Sequence, residues 1–444
     1  MMKFLFEQHL KDTVQKPLLE RFAYLADTEP SLADLAEFQL AALKEMVAYA
    51  YVHSPFYHEK MSQAGVKPED IQSLDDLAKM PFTTKDELRG DPWKLLACDK
   101  KDISIVSVST GTTGGEEIYI MYSWGDHYLT DSPGHPKLFN LKPGDICINA
   151  LPYEMSSAGM SFHKVFSEVQ QATVVNVGKG GAYSTPERIV QVMADLKPTA
   201  LITTPSYAIT LAEKAAEASI DLRSLPIRKM WLTGEGCSDA FRRRVEKIWG
   251  TRANFHYGSL ECGVLGMECD DHAGYHIPLG LIILEVIDPK TGEVLEPGEI
   301  GEIVATCLLR FNTPLIRYRT QDLGYIDPEP CSCGLAFPRF FLRGRLVDQL
   351  TVCGVNFSPF YLEEFLMRQP EVGNWYQFVT KKGNNDRLKI RTELAPGVEP
   401  SPELADKLAS KMEFATGVPC EFEFVQKLAR PGVKTVRVVQ EEGE

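Results

Sequence analysis

The sequence predicts an α/β protein whose large N-terminal domain has a helix-covered, mostly parallel sheet and a β-rich subdomain, followed by a small α+β C-terminal domain. Strand-like apolar runs alternate with helix-length segments between about residues 145 and 260, which is typical of a parallel sheet covered by helices. Beyond residue 276 long helices disappear, and Gly and Pro separate short strands. A length of 444 residues allows about three folding units.

The first 90 residues are predicted to be helical. Ser31 and Asp34 open a segment with apolar residues at helical spacing, which should end at Ser54-Pro55. Thr84 and Glu87 form a second capping-box pattern. In the alternating region we expect strands at 145–151, 172–177, 199–204, 228–233 and 253–257, and helices at 186–196, 206–219 and 238–249.

The pattern after residue 276 predicts two further parts. Strand candidates at 281–288 and 300–307 flank a Gly/Pro-rich connection, which indicates a β-rich subdomain at about 277–343. From about residue 347 the order strand, helix, strand, strand, helix, strand fits a small α+β domain. We therefore expect an N-terminal domain at 1–346 and a C-terminal domain at 347–444.

Composition excludes several classes of protein. Lys and Arg number 47 against 61 Asp and Glu, a net charge of -14, which argues against general binding of nucleic acid or of an anionic membrane. Ten cysteines are too few for a disulfide scaffold in a chain of this length. The sequence shows neither a signal peptide nor an apolar run of the roughly 18 residues that span a bilayer. We expect a soluble protein of a reducing compartment, the cytoplasm.

The strongest local signal for chemistry is a loop rich in Ser, Thr and Gly between two strand-like runs. It contains Ser109, Thr110, Gly111, Thr112, Thr113 and Gly114. Glycines let backbone N–H groups converge on an anion, and the hydroxyls add donors. The loop lacks the Gly-Lys-Ser/Thr ending of a Walker motif. Composition alone leaves an ordinary hairpin turn as the alternative.

Further motifs follow this loop in a recognisable order. Residues 256–261 read His-Tyr-Gly-Ser-Leu-Glu, 315–322 read Leu-Ile-Arg-Tyr-Arg-Thr-Gln-Asp, 344–348 read Gly-Arg-Leu-Val-Asp, and 354–359 read Gly-Val-Asn-Phe-Ser-Pro. With the loop, they resemble the adenylate-forming enzymes, the superfamily of acyl-CoA ligases, luciferases and adenylation domains. Within it the chain looks most like phenylacetate-CoA ligases, whose N-terminal region is similar to Pro-Phe-Thr-Thr-Lys at 81–85. The resemblance covers nearly the whole chain.

The resemblance implies an ATP site. The Ser/Thr/Gly loop would hold the β- and γ-phosphates, and Tyr257 would stack on adenine, within a motif that includes Gly258 and Ser259. Asp322 would accept hydrogen bonds from both ribose hydroxyls. Each of these residues alone has an ordinary alternative, such as a turn residue for Asp322.

The resemblance also implies contacts to the phosphates and their counter-ion. Glu261 would reach Mg2+, a hard cation bound in proteins by one or two carboxylates together with substrate phosphates. Arg345 would contact the ribose or a phosphate, and its alternative is a surface ion pair. Gly234 and Glu235 fall where the family has an adenine-contacting loop.

The C-terminal domain of the family is mobile and carries two functions. The segment 427–437 has four basic residues and no acidic one, and by resemblance its Lys434 is the catalytic lysine that bridges the carboxylate and the α-phosphate. The domain would then rotate near Asp348, and Gly354 and Asn356 would move toward the face where coenzyme A reacts. Charge alone favours a solvated basic loop.

Two short features indicate a metal. Cys331 and Cys333 form a tight pair, and Cys269 precedes His272 and His276. Three thiolates and one imidazole would complete a tetrahedral structural zinc site, whereas free thiols are the ordinary alternative. Because some phenylacetate-CoA ligases look similar here, the resemblance favours His276 as the fourth ligand, with His272 as the alternative.

The acyl pocket is the least defined part of the site. Tyr153, Ser157, Ala158 and Gly159 follow a strand end where relatives have pocket residues, and Tyr207 belongs to a second candidate segment. Small residues mixed with aromatic ones suit a flat aromatic or medium-sized acid. Simple helix packing is the alternative.

These observations together predict an AMP-forming acid–thiol ligase. Its substrates would be ATP, coenzyme A and a carboxylic acid, aromatic or arylacetic, with Mg2+ and a structural Zn2+. Two alternatives stay open: an adenylyltransferase that forms no thioester, and a non-catalytic ligand-binding relative. The second is motivated by Glu116 and Glu117, which stand where relatives often have a Lys after the loop. A homodimer is left open.

Overall fold

The computed structural model describes residues 31–109, 116–123, 126, 138–278, 280–381, 386–430 and 435–441. The chain divides into two compact units. Unit 1 takes in residues 1–145, 152–176 and 254–342, and unit 2 takes in 146–151, 177–253 and 343–444. The chain therefore passes between the units several times, and the two units are treated separately below.

The prediction that the first 90 residues are helical is wrong for residues 65–90, which contain only short 3-10 turns. The α-helices predicted at 186–196, 206–219 and 238–249 are present to within two residues and belong to a set of eight α-helices in the described residues. The eight are α1 Leu32–His53, α2 Pro55–Ala64, α3 Ala158–Lys164, α4 Pro186–Leu196, α5 Pro205–Glu217, α6 Asp239–Trp249, α7 Pro359–Met367 and α8 Pro402–Thr416. Ser31 and Asp34 form the expected capping box at the start of α1. Within the part of the chain that the structure describes, no helix combines the length and the apolar character needed to cross a membrane.

The strands confirm the α/β class. They are β1 Ile103–Ser109, β2 Ile118–Ser123, β3 Ile146–Asn149, β4 Thr173–Asn176, β5 Ala200–Thr203, β6 Lys229–Leu232, β7 Ala253–Ser259, β8 Gly263–Glu268, β9 Tyr275–His276, β10 Ile282–Ile287, β11 Gly301–Cys307, β12 Tyr318–Asp327, β13 Arg339–Arg345, β14 Leu350–Val352, β15 Val355–Phe357, β16 Val372–Lys381, β17 Leu388–Leu394, β18 Cys420–Phe424 and β19 Val438–Glu441. Those predicted at 145–151, 199–204 and 228–233 correspond to β3, β5 and β6.

Unit 1 is built mainly on antiparallel strands. Its sheet runs in the order β10-β11-β12-β13-β9-β8-β7, and β1 pairs with β2 in a separate two-stranded sheet. The pairs β10–β11, β11–β12, β13–β9, β9–β8 and β8–β7 are antiparallel. This arrangement brings the ends of β7 and β12, which carry two of the sequence motifs, into one sheet.

The N-terminal helices of unit 1 are tied to β12 through a buried tyrosine. The Tyr57 hydroxyl on α2 lies 3.0 Å from Thr83 Oγ1 and accepts a hydrogen bond of 2.9 Å from the backbone N–H of Ile316. Thr83 in turn pairs with the chain at Arg317 and Arg319 through backbone hydrogen bonds of 2.9 Å. Tyr57 is fully buried in a core that also contains α1. Segment 81–85 is thereby held alongside β12.

Unit 2 combines a parallel sheet with the C-terminal α+β part of the chain. Strands β3, β5 and β6 are parallel neighbours, and the indole N–H of Trp249 on α6 donates to the backbone oxygen of Ala208 on α5 at 3.2 Å. The C-terminal sheet has the order β18-β17-β16-β19. Two strands are additions to the predicted strand and helix order: β19, which is parallel to β16, and one strand of the hairpin β14–β15, where a single strand was expected.

We expect Tyr57→Phe to lower the free energy of unfolding by about 1–3 kcal/mol, because it leaves the buried N–H of Ile316 without its acceptor. Chemical denaturation measures this change. Tyr361→Phe is the matched control, since Tyr361 is 45% exposed and should change stability by less than about 0.5 kcal/mol. Equal effects of the two substitutions would contradict the anchoring role of Tyr57.

Candidate active site and metal centre

The predicted adenosine contacts Tyr257 and Asp322 meet in unit 1. Tyr257 near the end of β7 donates its hydroxyl hydrogen to the carboxylate of Asp322 on β12, and the backbone N–H of Asp322 donates to Thr320 Oγ1 at 3.1 Å. The Tyr257 ring packs edge-on against Phe340, with 5.2 Å between the ring centroids. A phenol ring and a carboxylate are thus fixed side by side.

Glu261 is a buried carboxylate surrounded by donors. Its Oε1 lies 3.3 Å from the Tyr318 hydroxyl and 3.6 Å from Lys85 Nζ. Burial, and then the charge of Glu261, raises the pKa of Tyr318 well above its usual value, so Tyr318 remains a hydrogen-bond donor at neutral pH. The guanidinium of Arg310 donates to the backbone oxygen of Glu261. A carboxylate in this position is oriented by its partners and shielded from bulk water.

Lys85 is a residue that sequence reasoning did not assign. It belongs to the segment 81–85, which carried part of the resemblance, and it reaches Glu261 because Thr83 pairs with β12. Its side chain is 14% exposed, which is unusual for a lysine without a task. A basic residue closing the Pro-Phe-Thr-Thr segment was the available signal, but its partner lies far away in the sequence.

A second buried charge holds the chain beside Glu261. The Asp126 carboxylate accepts backbone hydrogen bonds from Phe311 at 3.2 Å and Asn312 at 3.0 Å. Burial raises the pKa of Asp126 to about 6, although the Arg310 charge and these bonds oppose the shift. Arg310 also bonds Thr313 Oγ1 at 2.9 Å. The segment after β11 is therefore fixed in the place where Arg310 supports Glu261.

In unit 2, Glu235 sits in a buried network. Its carboxylate forms an ion pair of 2.7 Å with Lys179 and accepts a 2.8 Å bond from Ser206 Oγ at the start of α5. Burial alone would raise the pKa of Glu235, but the Lys179 charge and hydrogen bond, helped by Ser206 and Arg437, leave it below its ordinary value. Thr435 Oγ1 lies 3.5 Å away. Gly234, in the same loop, has a positive φ of 79°.

Most of the predicted phosphate loop and the predicted catalytic lysine lie outside the described residues. These are Thr110, Gly111, Thr112, Thr113, Gly114 and Lys434. Ser109 is described, and it ends β1 opposite Ile118. After the loop, Glu117 accepts a 2.9 Å hydrogen bond from the Tyr119 hydroxyl, and Arg89 donates to the backbone oxygen of Glu116 at 2.5 Å.

The remaining nucleotide and coenzyme candidates lie at strand ends and turns. Ser259 Oγ accepts the backbone N–H of Cys262 at 3.0 Å, and Gly258 pairs with β8. Arg345 ends β13. Gly354 occupies the turn of the β14–β15 hairpin, where Asn356 Oδ1 accepts from Thr351 Oγ1 at 2.8 Å.

The four predicted metal ligands converge in unit 1. The ligand atoms of Cys269, His276, Cys331 and Cys333 all lie within 4.8 Å of one another. The Cys269 and Cys331 sulfurs are 3.7 Å apart, and Cys333 Sγ lies 3.4 Å from His276 Nε2. Two thiolates on a tetrahedral zinc ion stand about 3.8 Å apart, so the spacing fits that ion.

The imidazole that joins the cluster is His276 rather than His272. His276 lies on β9, and its Nδ1 is 3.3 Å from the backbone oxygen of Phe337, a contact that fixes the ring and turns Nε2 to the sulfurs. His272 Nε2 instead lies 3.1 Å from Asn254 Oδ1. The backbone N–H of Leu335 points at Cys333 Sγ from 3.4 Å, as is suitable for a thiolate.

The acyl-pocket candidates of unit 1 pack closely around the start of α3. The Tyr153 ring covers Gly159, where an added Cβ would lie 2.7 Å from Tyr153 Cδ2, and its hydroxyl donates to Asn176 Oδ1 at 2.7 Å. Ser157 and Ala158 begin the helix. Tyr207 is buried in unit 2, on α5. Local packing therefore explains Tyr153 and Gly159.

An aromatic cluster next to Tyr257 was not identified from the sequence. His256 on β7 meets Phe162 edge-on at 4.8 Å between centroids, and Phe139 lies 6.2 Å from His256. Burial lowers the pKa of His256 to about 4, so its ring is neutral at pH 7. The sequence shows these residues in three separate segments, which is why no pattern joins them.

Comparison with known proteins defines the family. The profile described as AMP-binding enzyme matches residues 41–306, and that of the AMP-binding enzyme C-terminal domain matches 354–442. Phenylacetate-coenzyme A ligase of Thermus thermophilus is 33% identical over 83% of this chain and 84% of its own length. The enzyme of the same name from Aromatoleum evansii is 31% identical over 87% and 89%.

Solved structures show the same fold. The structure of 2-hydroxyisobutyryl-CoA ligase in the postadenylation state with 2-HIB-AMP aligns with a TM-score of 0.86 at 23% identity, over 92% of this chain and 90% of that one. An anthranilate CoA ligase with anthranoyl-AMP aligns at 0.60 and 20% identity, over 77% and 66%. The chain thus belongs to the AMP-binding enzyme family, in its branch of phenylacetate-CoA ligase-like, AMP-forming acid–thiol ligases.

Proposed function

We propose that this protein converts a carboxylic acid, ATP and coenzyme A into an acyl-CoA, AMP and pyrophosphate. In the first step the acid's carboxylate oxygen attacks the α-phosphorus, and the bond to the β-phosphate oxygen breaks to release pyrophosphate. In the second step the coenzyme A sulfur attacks the acyl carbon, and AMP leaves with the bridging oxygen. Family membership and the buried Glu261 with its donors together carry this proposal.

Residues of unit 1 supply the adenosine and phosphate contacts. Tyr257 and Asp322 are already joined at the edge of the site, where the carboxylate suits a ribose diol and the ring suits a purine face. Glu261 would hold Mg2+, since hard cations take carboxylate oxygens together with substrate phosphates. The ion, when bound, offsets phosphate charge.

Two lysines offset the charge that develops on the phosphorus and acyl oxygens. Lys85 is held 3.6 Å from Glu261 Oε1, so a cation is oriented beside the metal-binding carboxylate before substrate arrives. Lys434 would bridge the acid and the α-phosphate. Oriented cations in a site that excludes water stabilise such a transition state more than they would in bulk solvent.

The acid is proposed to be aromatic or arylacetic. Three relatives of 30% identity or more are named phenylacetate-CoA ligases, and His256, Phe139 and Phe162 form a buried aromatic cluster at the strand that also carries Tyr257. Because the pKa of His256 lies near 4, its neutral ring presents no charge to an apolar group. Edge-to-face contacts with a ring would favour such an acid over a linear one.

A structural zinc ion is proposed for Cys269, His276, Cys331 and Cys333. The donor set fits because four ligand atoms of the preferred type lie within 4.8 Å and because a backbone carbonyl orients the imidazole. The ion would link the ends of β8 and β9 to the loop between β12 and β13. None of the ten cysteines, all of which lie in the described residues, forms a disulfide, and we propose a reducing compartment, the cytoplasm, as the location.

We expect acid-dependent exchange of labelled pyrophosphate into ATP with phenylacetate, and release of AMP that requires coenzyme A. Lys434→Ala should lower the exchange rate by about 100-fold or more, because an oriented charge is lost from the transition state. Lys427→Ala, which removes an exposed lysine of the same segment, is the matched control and should keep the parent rate.

The same assays separate the alternatives. Exchange without any coenzyme A-dependent AMP release would show an adenylyltransferase that forms no thioester. No exchange across aryl, arylacetic and short aliphatic acids would favour a ligand-binding relative. A Lys434→Ala rate equal to that of the parent would remove that residue from catalysis.

We expect Lys85→Ala to lower kcat for exchange by about 100-fold, since Glu261 then loses its cation and the site its fixed positive charge. Lys79→Ala is the control, because the Lys79 side chain is 52% exposed and contacts only nearby surface groups in the described residues, the Asp76 carboxylate and the backbone oxygen of Asp70. Exchange kinetics on both variants test this role. Parent-like kcat in Lys85→Ala would contradict it.

We expect about one zinc ion per chain in protein purified without chelator, measured by elemental analysis. His276→Asn and Cys333→Ser should lower that content and the melting temperature, because each removes a ligand. His272→Asn is the control, since His272 faces Asn254, and it should retain the metal. Protein without zinc, or loss of zinc in His272→Asn alone, would overturn the assignment.

A further inference from the structure

Helix α7 is seated in unit 2 by a glycine slot. A Cβ placed on Gly236 would overlap the ring of Phe360, with Cε1 at 2.9 Å, and one placed on Gly344 would meet Ser358 and lie 3.7 Å from Phe360 Cδ2. Phe360 is the second residue of α7. The ring therefore fills a space that exists because Gly236 carries no side chain, whereas a Cβ on Gly344 would clash with Ser358 and only touch the ring.

The same helix closes the N-terminus of α6. Glu363 Oε1 accepts the backbone N–H of Ser238 at 2.8 Å and its hydroxyl at 2.9 Å, while Glu364 Oε2 accepts the N–H of Ala240 at 2.7 Å. The first N–H groups of a helix have no partner inside the helix, and a carboxylate there also favours the helix dipole. Two carboxylates of α7 thus satisfy donors of α6.

Arg244 of α6 binds the backbone at the C-terminal end of α7. Its guanidinium donates to the backbone oxygens of Met367 at 2.7 Å, Gln369 at 2.6 Å, Val372 at 2.7 Å and Gly373 at 2.9 Å. Burial lowers the pKa of Arg244, yet the group stays charged far above neutral pH. Carbonyls at a helix end are the natural partners of a cation.

This contact extends to the C-terminal segment. Tyr376 on β16 donates to Glu363, and Arg437 lies over the rings of Tyr376 and Phe241, 4.3 Å and 4.9 Å from their centroids. Thr435 is 3.5 Å from the Glu235 carboxylate. The seat of α7 is thereby connected through Tyr376 to the residues that flank Lys434.

We propose that α7 is a positioning helix: Phe360 in the slot at Gly236, with Glu363, Glu364 and Arg244, sets where the C-terminal segment lies against the loop that carries Glu235. The AMP-binding match ends at residue 306 and the C-terminal domain match begins at residue 354. Helix α7 lies within the second match. This inference rests on the proposed function for its catalytic consequence. In this proposal these residues act through the placement of segment 435–441 and not through contact with substrate.

The first test exchanges side-chain volume between the two sides of the slot. Gly236→Ala should lower kcat for pyrophosphate exchange by 10-fold or more with KM for ATP within about two-fold, because placement of the segment is disturbed rather than nucleotide binding. Phe360→Ala removes the clashing ring, so the double variant should recover to the rate of Phe360→Ala alone. A double variant that is slower than Phe360→Ala by the full factor that Gly236→Ala shows alone would overturn the slot.

The second test removes the clamp and reads structure directly. Arg244→Gln should speed amide hydrogen exchange in 359–367 and 435–441 and lower kcat, while Lys247→Gln, the same change at an exposed site on α6, should do neither. Unchanged exchange in 435–441 for Arg244→Gln would contradict the proposal. If the parent shows no pyrophosphate exchange, the proposed function fails, and the hydrogen-exchange comparison still decides the positioning role.

Discussion

A buried carboxylate that must be matched by charge and hydrogen bonds organises unit 1. Moving an ionised carboxylate out of water costs several kcal/mol unless partners replace the lost hydration. Glu261 meets that requirement through Tyr318, Lys85 and the guanidinium that holds its own backbone. Each partner depends on another element, since Lys85 is placed by pairing with β12 and Arg310 by the segment that Asp126 fixes. The fold of unit 1 thereby places the Lys85 cation beside the Glu261 carboxylate.

The same constraint recurs in unit 2 with a different outcome. The carboxylates of Glu235 and Glu363 are both largely buried. Glu235 is bound by Lys179 and Ser206, and Glu363 by Tyr376 and the N-terminus of α6. These carboxylates are fully engaged within the protein. Their effect is to tie α5, α6, α7 and the C-terminal segment to one loop, so in unit 2 buried charge serves position.

Sequence reasoning succeeded where the signal was local. The helix at 186–196 and the capping box at Ser31 follow from short patterns, and the motifs holding Tyr257 and Asp322 pointed to residues that do meet. It did not find the Lys85–Glu261 pair or the contact of Arg244 with α7, because both join segments that are remote in the chain. Periodicity and composition do not encode such pairings. The spacing of cysteines gave a metal hypothesis but left two histidines, and only the path of β9 separates them.

In an acidic protein of this family, the side chains that already engage each basic residue decide which cations can contact the phosphates of a substrate. Of the basic residues in the segment 427–437, Arg430 is held between Glu213 and Glu393 and stacks on Trp375 at 4.3 Å, while Arg437 lies over aromatic rings. A guanidinium engaged with two carboxylates would have to break both ion pairs to serve elsewhere. In a Lys434→Ala variant, neither arginine is therefore available to replace the lost lysine. The exposed Lys427 is not fixed toward any site by a described contact. Two of the four basic residues in this segment are therefore engaged in contacts within unit 2. The number of basic residues does not by itself measure the positive charge that the segment can offer to a ligand.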